Sequence, residues 1–292
     1  MRLFLVLLLI AAPLAAQRPE EDAKGGRYAD RLKDEIRARK QYEKTARAAI
    51  PPRFREALAK FQPGTNDLAA SWGEFVSNGG TPFVALQLAA PTGVNAERLT
   101  FFGILGDDTY FEELPVRQSG DEFLVERSLL FRGRAMSGTF GLARKNEILG
   151  MARVDVEPPA EVSRLILSGD VYLLQQAQDP LDPFAFGGTK VIPRPRNAFR
   201  RKDEVWVFLE MRSETTPNLT AKVDIEGAEK TVKGTPTPAM ATPLKGVAGH
   251  YGVGNTIDVS ALKPGDYRVR VTLTDATAKT SVTREAALRI VE

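Results

Sequence analysis

The sequence predicts a mainly β protein in which two β-sandwiches follow one another, preceded by an α-helical arm. Short apolar or alternating runs, separated by Gly, Asp and Pro, occupy the chain from residue 79 onward, as in sheets that pack face to face. Similar runs recur at similar intervals, from Phe83 to Phe140 and from Val205 to Tyr267, which indicates two related units. The residues before them are charged and rich in Ala, with apolar side chains at helical spacing.

The first sixteen residues have the pattern of a secretory signal peptide. Arg2 provides the positive start, an apolar run from Leu3 to Leu14 follows, and Ala15 and Ala16 provide the small residues of a cleavage site. A retained membrane anchor is the alternative, but a helix that spans a bilayer needs about 20 apolar residues and this run is shorter. We therefore expect cleavage after residue 16 and an exported protein, periplasmic or extracellular, with no transmembrane segment and no nucleic acid partner.

Residues 17–78 are predicted to form the charged helical arm. Residues 17–60 hold 13 Lys or Arg and 8 Asp or Glu, a net charge of +5, whereas residues 61–292 sum to −3. Tyr28, Leu32 and Ile36 recur at helical spacing in a first helix, which the prolines at positions 51 and 52 end. The narrow apolar stripe predicts that this helix lies on a surface or is partly free in solution.

Two further helices are expected in the arm. Pro52 is well placed to begin one, through Phe54 and Leu58, because proline suits the first helical position. Trp72 and Phe75, three residues apart, are expected in a helix that packs on the first sandwich.

The first sandwich is predicted over residues 79–160 and the second over residues 204–292. Residues 161–203 are rich in proline and basic residues and are interpreted as a linker with a leading strand. Trp206 and Phe208 fall on one face of an alternating strand, so both are expected in the core of the second sandwich. Because the chain has no Cys, burial and backbone pairing must hold both units folded.

A turn followed by an alternating strand is the most specific local pattern. It begins at Leu262, has Pro264 and Gly265 in the turn, and leads into the strand at Tyr267. With this L-x-P-G-x-Y-x-V-x-V pattern, the chain resembles bacterial exported proteins with tandem immunoglobulin-like or fibronectin type III-like modules. The resemblance implies a structural corner at Pro264, Gly265 and Tyr267, which the tyrosine hydroxyl pins. It also implies adhesion, spacing, or contact with protein or carbohydrate, and rarely catalysis.

The composition excludes several kinds of catalytic site. With no Cys and one His, the chain has no thiolate metal ligand, no cysteine nucleophile and no pair of imidazoles. His250 lies in a glycine-flanked stretch, where we expect a histidine in a turn or on the surface rather than a general base. No cofactor and no metal are expected.

Carboxylates alone could still hydrolyse glycosides, because most such enzymes use a pair of them. The candidates are acidic residues at predicted strand ends or turns: Asp107, Asp108, Glu112, Glu113, Asp121 and Glu122. Acidic residues at such positions are ordinarily solvated, so a catalytic pair is the less favoured interpretation. Asp179 and Asp182 could contact calcium, but two ligands are too few, and a linker fixed by proline is preferred.

Two groups of residues remain candidates for binding. A segment with six cations and no acid could bind an anionic lipid headgroup, polysaccharide or protein face, or could be a solvated loop. Its cations are Lys190, Arg194, Arg196, Arg200, Arg201 and Lys202. The second group could form a carbohydrate-binding surface if its members lay on one exposed face, and it consists of Tyr110, Phe111 and Tyr251.

The function that these observations predict is that of an exported, non-catalytic envelope protein. It would bind or scaffold a protein partner through a sandwich face or an edge strand. The alternatives are a carbohydrate-binding module of the cell envelope and, less favoured, a carboxylate-dependent hydrolase.

Overall fold

The computed structural model describes residues 25–64, 67–76, 81–119, 122–174, 182–186, 188–228, 231–244 and 248–292. The described chain is mainly β. Two helices come first, α1 (Gly25–Thr45) and α2 (Pro52–Lys60). The predicted signal peptide, residues 1–16, lies outside the described residues.

The first unit is built from strands that follow the helices. They are β1 (Ala69–Val76), β2 (Pro82–Ala89), β3 (Arg98–Leu105), β4 (Asp108–Pro115), β5 (Arg117–Ser119), β6 (Glu122–Leu130), β7 (Met136–Arg144) and β8 (Glu147–Val156). They make two antiparallel sheets, in the orders β1-β2-β6-β5 and β4-β3-β7-β8. Apolar side chains of both sheets belong to one core, Leu86 and Val125 from the first and Phe101 and Leu142 from the second.

Trp72 and Phe75, expected in a helix, lie in β1. Trp72 is paired with Leu86 of β2 and Phe75 with Phe83. Side chains three residues apart on a strand point to opposite faces. Phe75 is therefore fully buried on one face, while the indole N–H of Trp72 donates to the backbone carbonyl of Asp155 at 3.0 Å on the other. The helix prediction was wrong because pairing with β2 decides the conformation of this segment.

The second unit follows from residue 166. Its strands are β9 (Ile166–Leu173), β10 (Ala185–Phe186), β11 (Thr189–Pro193), β12 (Ala198–Arg200), β13 (Val205–Arg212), β14 (Leu219–Gly227), β15 (Thr231–Val232), β16 (Thr237–Ala239), β17 (Ala241–Pro243), β18 (His250–Ile257), β19 (Gly265–Asp275) and β20 (Thr280–Val291). They form sheets in the orders β10-β11-β9-β13-β18-β17 and β12-β20-β19-β14-β15, and β16 also pairs with β14. Val207 and Val253 of the first sheet share a core with Val269 and Leu273 of the second.

The segment interpreted as a linker, residues 161–203, supplies strands β9 to β12. Strand β9 pairs with both β11 and β13, so the segment forms one half of a sheet. Phe184 and Val191 are buried in the core that contains the first unit's side chains. The linker interpretation needs correction, because the apolar residues among the prolines and cations are buried between the units.

The sheet of β1, β2, β5 and β6 is covered on both faces. Every residue from Phe83 to Ala89 is buried, although successive side chains of a strand point in opposite directions. One face packs on the β3 and β7 sheet. Against the other face lie Phe186 of β10, which contacts Phe75 with ring centroids 4.8 Å apart, and Ile192 of β11. This sheet is therefore the middle of three layers, and the two units meet through the apolar face on which Phe186 and Ile192 lie.

Strand β13 faces both cores. Val207 and Leu209 are buried in the second unit, whereas Phe208 points to the first unit and stacks on Phe186 with ring centroids 4.5 Å apart. Trp206, expected in the core of the second unit beside Phe208, is only half-buried. The first unit covers the part of this face that includes Phe208 and leaves the start of the strand in partial contact with solvent.

Helix α1 packs on the first unit through its C-terminal half. Ala38, Tyr42 and Ala46 are buried, and the Tyr42 ring stacks on Phe83 with ring centroids 6.1 Å apart. Ile36, predicted in the apolar stripe, is instead 46% exposed, because it does not lie on the side of the helix that packs on the sheets through Ala38 and Tyr42. The side chains at positions 28 and 32 lie outside the described residues.

Residues 46–64, with 67 and 68, lie across the outer face of the β4-β3-β7-β8 sheet. The backbone N–H of Ala48 donates to Thr109 on the β4 edge at 3.0 Å, and that of Leu68 donates to Met151 on the β8 edge at 2.8 Å. Between these edges, Phe54 of α2 packs on Phe102 of β3 with ring centroids 4.8 Å apart. Both edge strands of the sheet therefore form hydrogen bonds with this segment, which holds α1 and α2 against the first unit.

Candidate functional site

Lys190 is buried, and this removes it from the predicted surface for an anionic partner. Its side chain is 0% exposed, and its ammonium lies 3.0 Å from the Glu126 carboxylate and 2.6 Å from that of Asp182. The ammonium also donates to the backbone carbonyl of Pro183. The expectation of a solvated cation was wrong because β11 lies against β6, where Glu126 supplies the compensating charge.

The other cations of this segment lie around the turn that joins β11 to β12. Arg194 is half-buried, lies 3.6 Å from Asp203 and covers the Phe199 ring at 5.6 Å. Arg201 is exposed and donates twice to the backbone carbonyl of Ser260, at 2.8 and 3.0 Å. The remaining members, Arg196, Arg200 and Lys202, are exposed. The structure therefore spreads these cations along a turn, where Arg194 and Arg201 contact their own chain.

The three aromatic candidates for carbohydrate binding do not come together. Tyr110 is fully buried, and its hydroxyl accepts a hydrogen bond from the backbone N–H of Leu130 at 3.1 Å. Phe111 packs on Phe54 of α2 at 5.3 Å, and Tyr251 lies on β18 of the second unit. The expectation of one exposed aromatic face is corrected, since strand alternation and the helix cover the first two rings.

Burial also changes the acidity of Tyr110. Removal from water raises the pKa of its phenol well above the ordinary range, and the nearby negative charge of Asp108 raises the pKa further. The hydrogen bond from the Leu130 amide opposes both effects. The phenol is therefore held in its neutral form inside the first unit.

His250 is a buried strand residue, not the surface or turn histidine expected from its glycine neighbours. It begins β18, is 9% exposed, and its Nδ1 lies 2.8 Å from a carboxylate oxygen of Glu210. The second oxygen of Glu210 accepts a hydrogen bond from the backbone N–H of Val76 at 3.1 Å. The pairing of β13 with β18 turns both side chains toward the first unit. An acid and an imidazole thus meet at the junction between the units.

The acidic candidates for hydrolysis bind separate partners. Asp108 is buried and forms a two-point contact with Arg132, at 2.6 and 2.8 Å. Glu112 lies 2.7 Å from Arg127, while Asp107 is exposed. Each of these three carboxylates faces a different arginine, and that of Asp107 lies 3.4 Å from Arg134. Residue 121 lies outside the described residues.

The described residues contain no cluster of three or more His, Asp or Glu side chains that could hold a metal ion. Asp182, considered as a calcium ligand, binds Lys190. Asp179, the other acidic residue of that pair, lies outside the described residues.

The corner at the start of β19 is held by a side-chain bond. The Tyr267 hydroxyl donates to the backbone carbonyl of Lys263 at 2.9 Å, on the other side of the turn. Gly265 has φ +153°, a backbone conformation that residues other than glycine rarely adopt. Pro264 and Gly265 therefore set the turn, and Tyr267 closes it.

A basic helix face was missed by the sequence analysis. Lys33, Arg37, Lys40 and Lys44 are all exposed on α1, and Ile36 is exposed beside them. Their spacing of three or four residues puts them on one side of the helix. The signal was present in the net charge of +5 over residues 17–60, but the face could be assigned only once the buried side was known.

No protein family matches the chain, and no curated protein matches it. Among solved structures, a chimeric tandem of titin Z1 and Z2 modules functionalised with a fibronectin peptide aligns with 73% of this chain and 92% of its own length, at 9% identity. The TM-score of that alignment is 0.18, which is too low for the similarity to bear on the fold or the function. Within the described ranges, no helix has both the length and the apolar character needed to cross a bilayer.

Proposed function

We propose that this protein is an exported, non-catalytic scaffold of the cell envelope that binds a protein partner in the periplasm or outside the cell. In this proposal its architecture is two tandem immunoglobulin-like sandwiches preceded by a helical arm. The observation that supports a scaffold is the junction between the two units, where apolar packing and buried polar bonds fix one unit on the other.

The junction combines two kinds of contact. Phe186 packs between Phe75 of the first unit and Phe208 of its own unit, so an aromatic row crosses the interface. Buried polar bonds lie beside it, from the Val76 amide to Glu210 and from Lys190 to Glu126. Apolar contact resists separation, and the directional bonds resist sliding. Two units held in this way present their outer surfaces at a fixed spacing, which is what a scaffold requires.

A sheet face suits the partner better than the open side of β20, which pairs with β12 only at residues 289–291. Arg284 on this strand points toward the interior and donates to the backbone carbonyls of Val162 and Ser163, at 2.7 and 3.1 Å. An inward-pointing charge on the open side of a strand is one way in which natural sheets prevent the addition of another strand. The proposal therefore assigns partner binding to the exposed face of β14, β19 and β20.

Side chains on this exposed face are hydrogen bonded to one another. Thr272 and Thr283 are hydrogen bonded through their hydroxyls at 3.0 Å, and Thr274 and Ser281 at 3.3 Å. Side chains that already hold one another lose little rotamer freedom when a partner covers them. We call Thr272, Thr274, Ser281 and Thr283 the hydroxyl face.

Site-directed cross-linking tests the proposal, because a chain without Cys allows single reactive positions. The variant Thr274→Cys places a photo-reactive maleimide on the hydroxyl face, and Lys145→Cys places it on an exposed turn of the first unit as the matched control. In an envelope fraction of the source cells, we expect one defined protein adduct at position 274 and none at position 145. The absence of a protein adduct at position 274 would overturn the proposed partner site.

The fixed spacing can be measured in the same chain. A Lys145→Cys, Thr274→Cys double variant, spin-labelled at both sites, should give a single narrow distance distribution by pulsed electron resonance. Phe186→Ala in that background should broaden the distribution, because the aromatic row across the junction is interrupted. A broad distribution in the parent double variant would contradict a scaffold of fixed geometry.

Export and the lack of catalysis are tested separately. When the full chain is expressed in a bacterium, N-terminal sequencing of the mature protein should begin at Gln17, and retention of the leader in the cytoplasm would contradict export. Purified protein should not cleave glycosidase substrates. If the protein hydrolyses such a substrate and one Asp or Glu substitution abolishes this activity, the hydrolase alternative is correct and the non-catalytic scaffold is wrong.

A further inference from the structure

Helix α1 has a cationic side directly opposite its buried side. A residue of an α-helix advances by about 100° around the axis, so Lys33, Arg37, Lys40 and Lys44 fall in one row. Ala38 and Tyr42, which pack on the first unit, fall half a turn away. The first unit therefore fixes the rotation of the helix and turns the row of cations to solvent.

We infer that this row, together with Ile36, is a surface that binds an anionic lipid bilayer. We call Lys33, Ile36, Arg37, Lys40 and Lys44 the basic face. The inference goes beyond the proposed protein partner, since the basic face lies on a different element from the hydroxyl face. It gives the scaffold a side by which it rests on a membrane.

Three cations of the basic face are available to an external anion. Among the described residues, Arg37, Lys40 and Lys44 form no ion pair, whereas the nearby Arg39 is paired with Glu43 at 3.2 Å. Unpaired cations keep their full attraction for an external anion, and cations near an anionic bilayer contribute about 1 kcal/mol each. Arg37, Lys40 and Lys44 thus present unpaired charge on the side of the helix that faces away from the protein.

The shape of the basic face favours a bilayer over an acidic polypeptide. The shallow depression between its side chains is lined by α1 alone: Lys33, Ile36, Arg37, Lys40, Gln41 and Lys44. An extended polypeptide is usually held in a groove between elements, whereas the side of a single helix can rest on a plane. The row is about 16 Å long at 1.5 Å per residue, so each cation can meet a different lipid headgroup.

Ile36 and the distribution of charge support the same occupant. Ile36 is 46% exposed within the row, where its apolar side chain can enter the headgroup layer while the cations bind phosphates. Residues 17–60 have a net charge of +5 and residues 61–292 a net charge of −3. In the field of a negative surface, this asymmetry turns the helix toward the bilayer and the body away from it.

The test is sedimentation of the purified full chain with lipid vesicles. The protein should sediment with vesicles that contain phosphatidylglycerol but not with vesicles of phosphatidylcholine alone. Added salt should weaken the binding. The triple variant Arg37→Gln, Lys40→Gln, Lys44→Gln should partition about a hundred-fold more weakly. Glutamine is a good helix former, and circular dichroism checks that α1 is retained.

A matched variant loses the same charge elsewhere. Lys145→Gln, Arg196→Gln and Lys202→Gln alter three exposed cations outside α1 and should leave vesicle binding within about two-fold of the parent. Equal losses in both triple variants would overturn the inference, because net charge alone would then explain binding. Equal binding to both kinds of vesicle, or tighter binding to poly-glutamate than to vesicles, would also overturn it. Cross-linking at position 274 is unaffected by either triple variant, so the two proposals fail separately.

Discussion

The carboxylate of Glu210 accepts a hydrogen bond from the backbone N–H of Val76 at 3.1 Å, across the junction between the two units. Val76 ends β1 of the first unit, and Glu210 lies on β13 of the second. The same carboxylate lies 2.8 Å from Nδ1 of His250, and all three residues are buried. A buried donor that loses its partner costs about 1–3 kcal/mol. The end of β1 therefore depends on the second unit for part of its stability.

We expect Glu210→Ala to lower the free energy of unfolding by about 1–3 kcal/mol and to speed hydrogen exchange of the Val76 amide. The matched control is Glu210→Gln, whose amide oxygen can still accept the hydrogen bond from Val76. Exchange measured by NMR should separate the two variants at this amide. Unchanged protection of Val76 in the alanine variant would show that the carboxylate does not stabilise the junction.

Substitution of Lys190 by Met should be among the most damaging changes in the chain. Methionine has a similar length but removes the ammonium 3.0 Å from the Glu126 carboxylate, which is 8% exposed and keeps Arg117, at 3.6 Å. Removing one partner of a buried ion pair costs about 3–5 kcal/mol, and we expect the lower end because Arg117 stays near Glu126 and Asp182 is 30% exposed. Urea unfolding measures the loss, and Lys202→Met on the exposed turn should change stability by less than about 0.5 kcal/mol. Similar losses for both variants would contradict the burial of Lys190.

The local sequence pattern predicted strands better than it predicted what covers them. Alternating runs identified a mainly β chain, and Pro52 correctly marked a helix start, since α2 begins there. Lys190 was misjudged because the carboxylate that neutralises it lies on β6, far away along the chain. Trp72 was misjudged for a similar reason, since its pairing with Leu86 overrides helical spacing. Contacts between distant segments leave little signal in one sequence.

The candidate sites show the same limit. The positive charge before residue 61 could be counted, but its concentration on one helix face followed only from the burial of Ala38 and Tyr42. Composition also showed a single histidine, without showing that Glu210 meets it at the junction. Residue types and their spacing showed which chemical groups the chain contains. Which of these groups come together depends on how the two units pack, and the sequence did not show that.

Tyr110 should make stability depend on alkaline pH. Burial first, and then the charge of Asp108, raise its pKa in the folded protein, whereas a tyrosine in the unfolded chain ionises near pH 10. The folded state thus holds the proton more tightly. The stability that this group contributes is complete below about pH 10 and is lost as the pH rises above it, by up to about 1.4 kcal/mol per pH unit.

The variant Tyr110→Phe isolates this effect. Below about pH 10 it should be less stable than the parent by about 1–3 kcal/mol, because the Leu130 amide loses its acceptor. Above that pH the parent alone loses stability through this phenol, so the difference should shrink. Urea unfolding of both proteins over the alkaline range measures the change. A difference that stays constant with pH would contradict a raised pKa at Tyr110.

The Tyr267 hydroxyl should stabilise the corner before β19, where the ring is half-buried against the core of the second unit. Its bond to the Lys263 carbonyl at 2.9 Å closes the turn at Pro264 and Gly265, and a typical internal hydrogen bond contributes about 0.5–1.5 kcal/mol. Tyr267→Phe removes this bond alone, because the ring is kept. Tyr251→Phe is the matched control, since its hydroxyl makes no hydrogen bond within the described residues. Thermal unfolding should rank Tyr267→Phe about 1 kcal/mol below Tyr251→Phe, and equal stability of the two variants would mean that the turn residues set the corner without the hydroxyl.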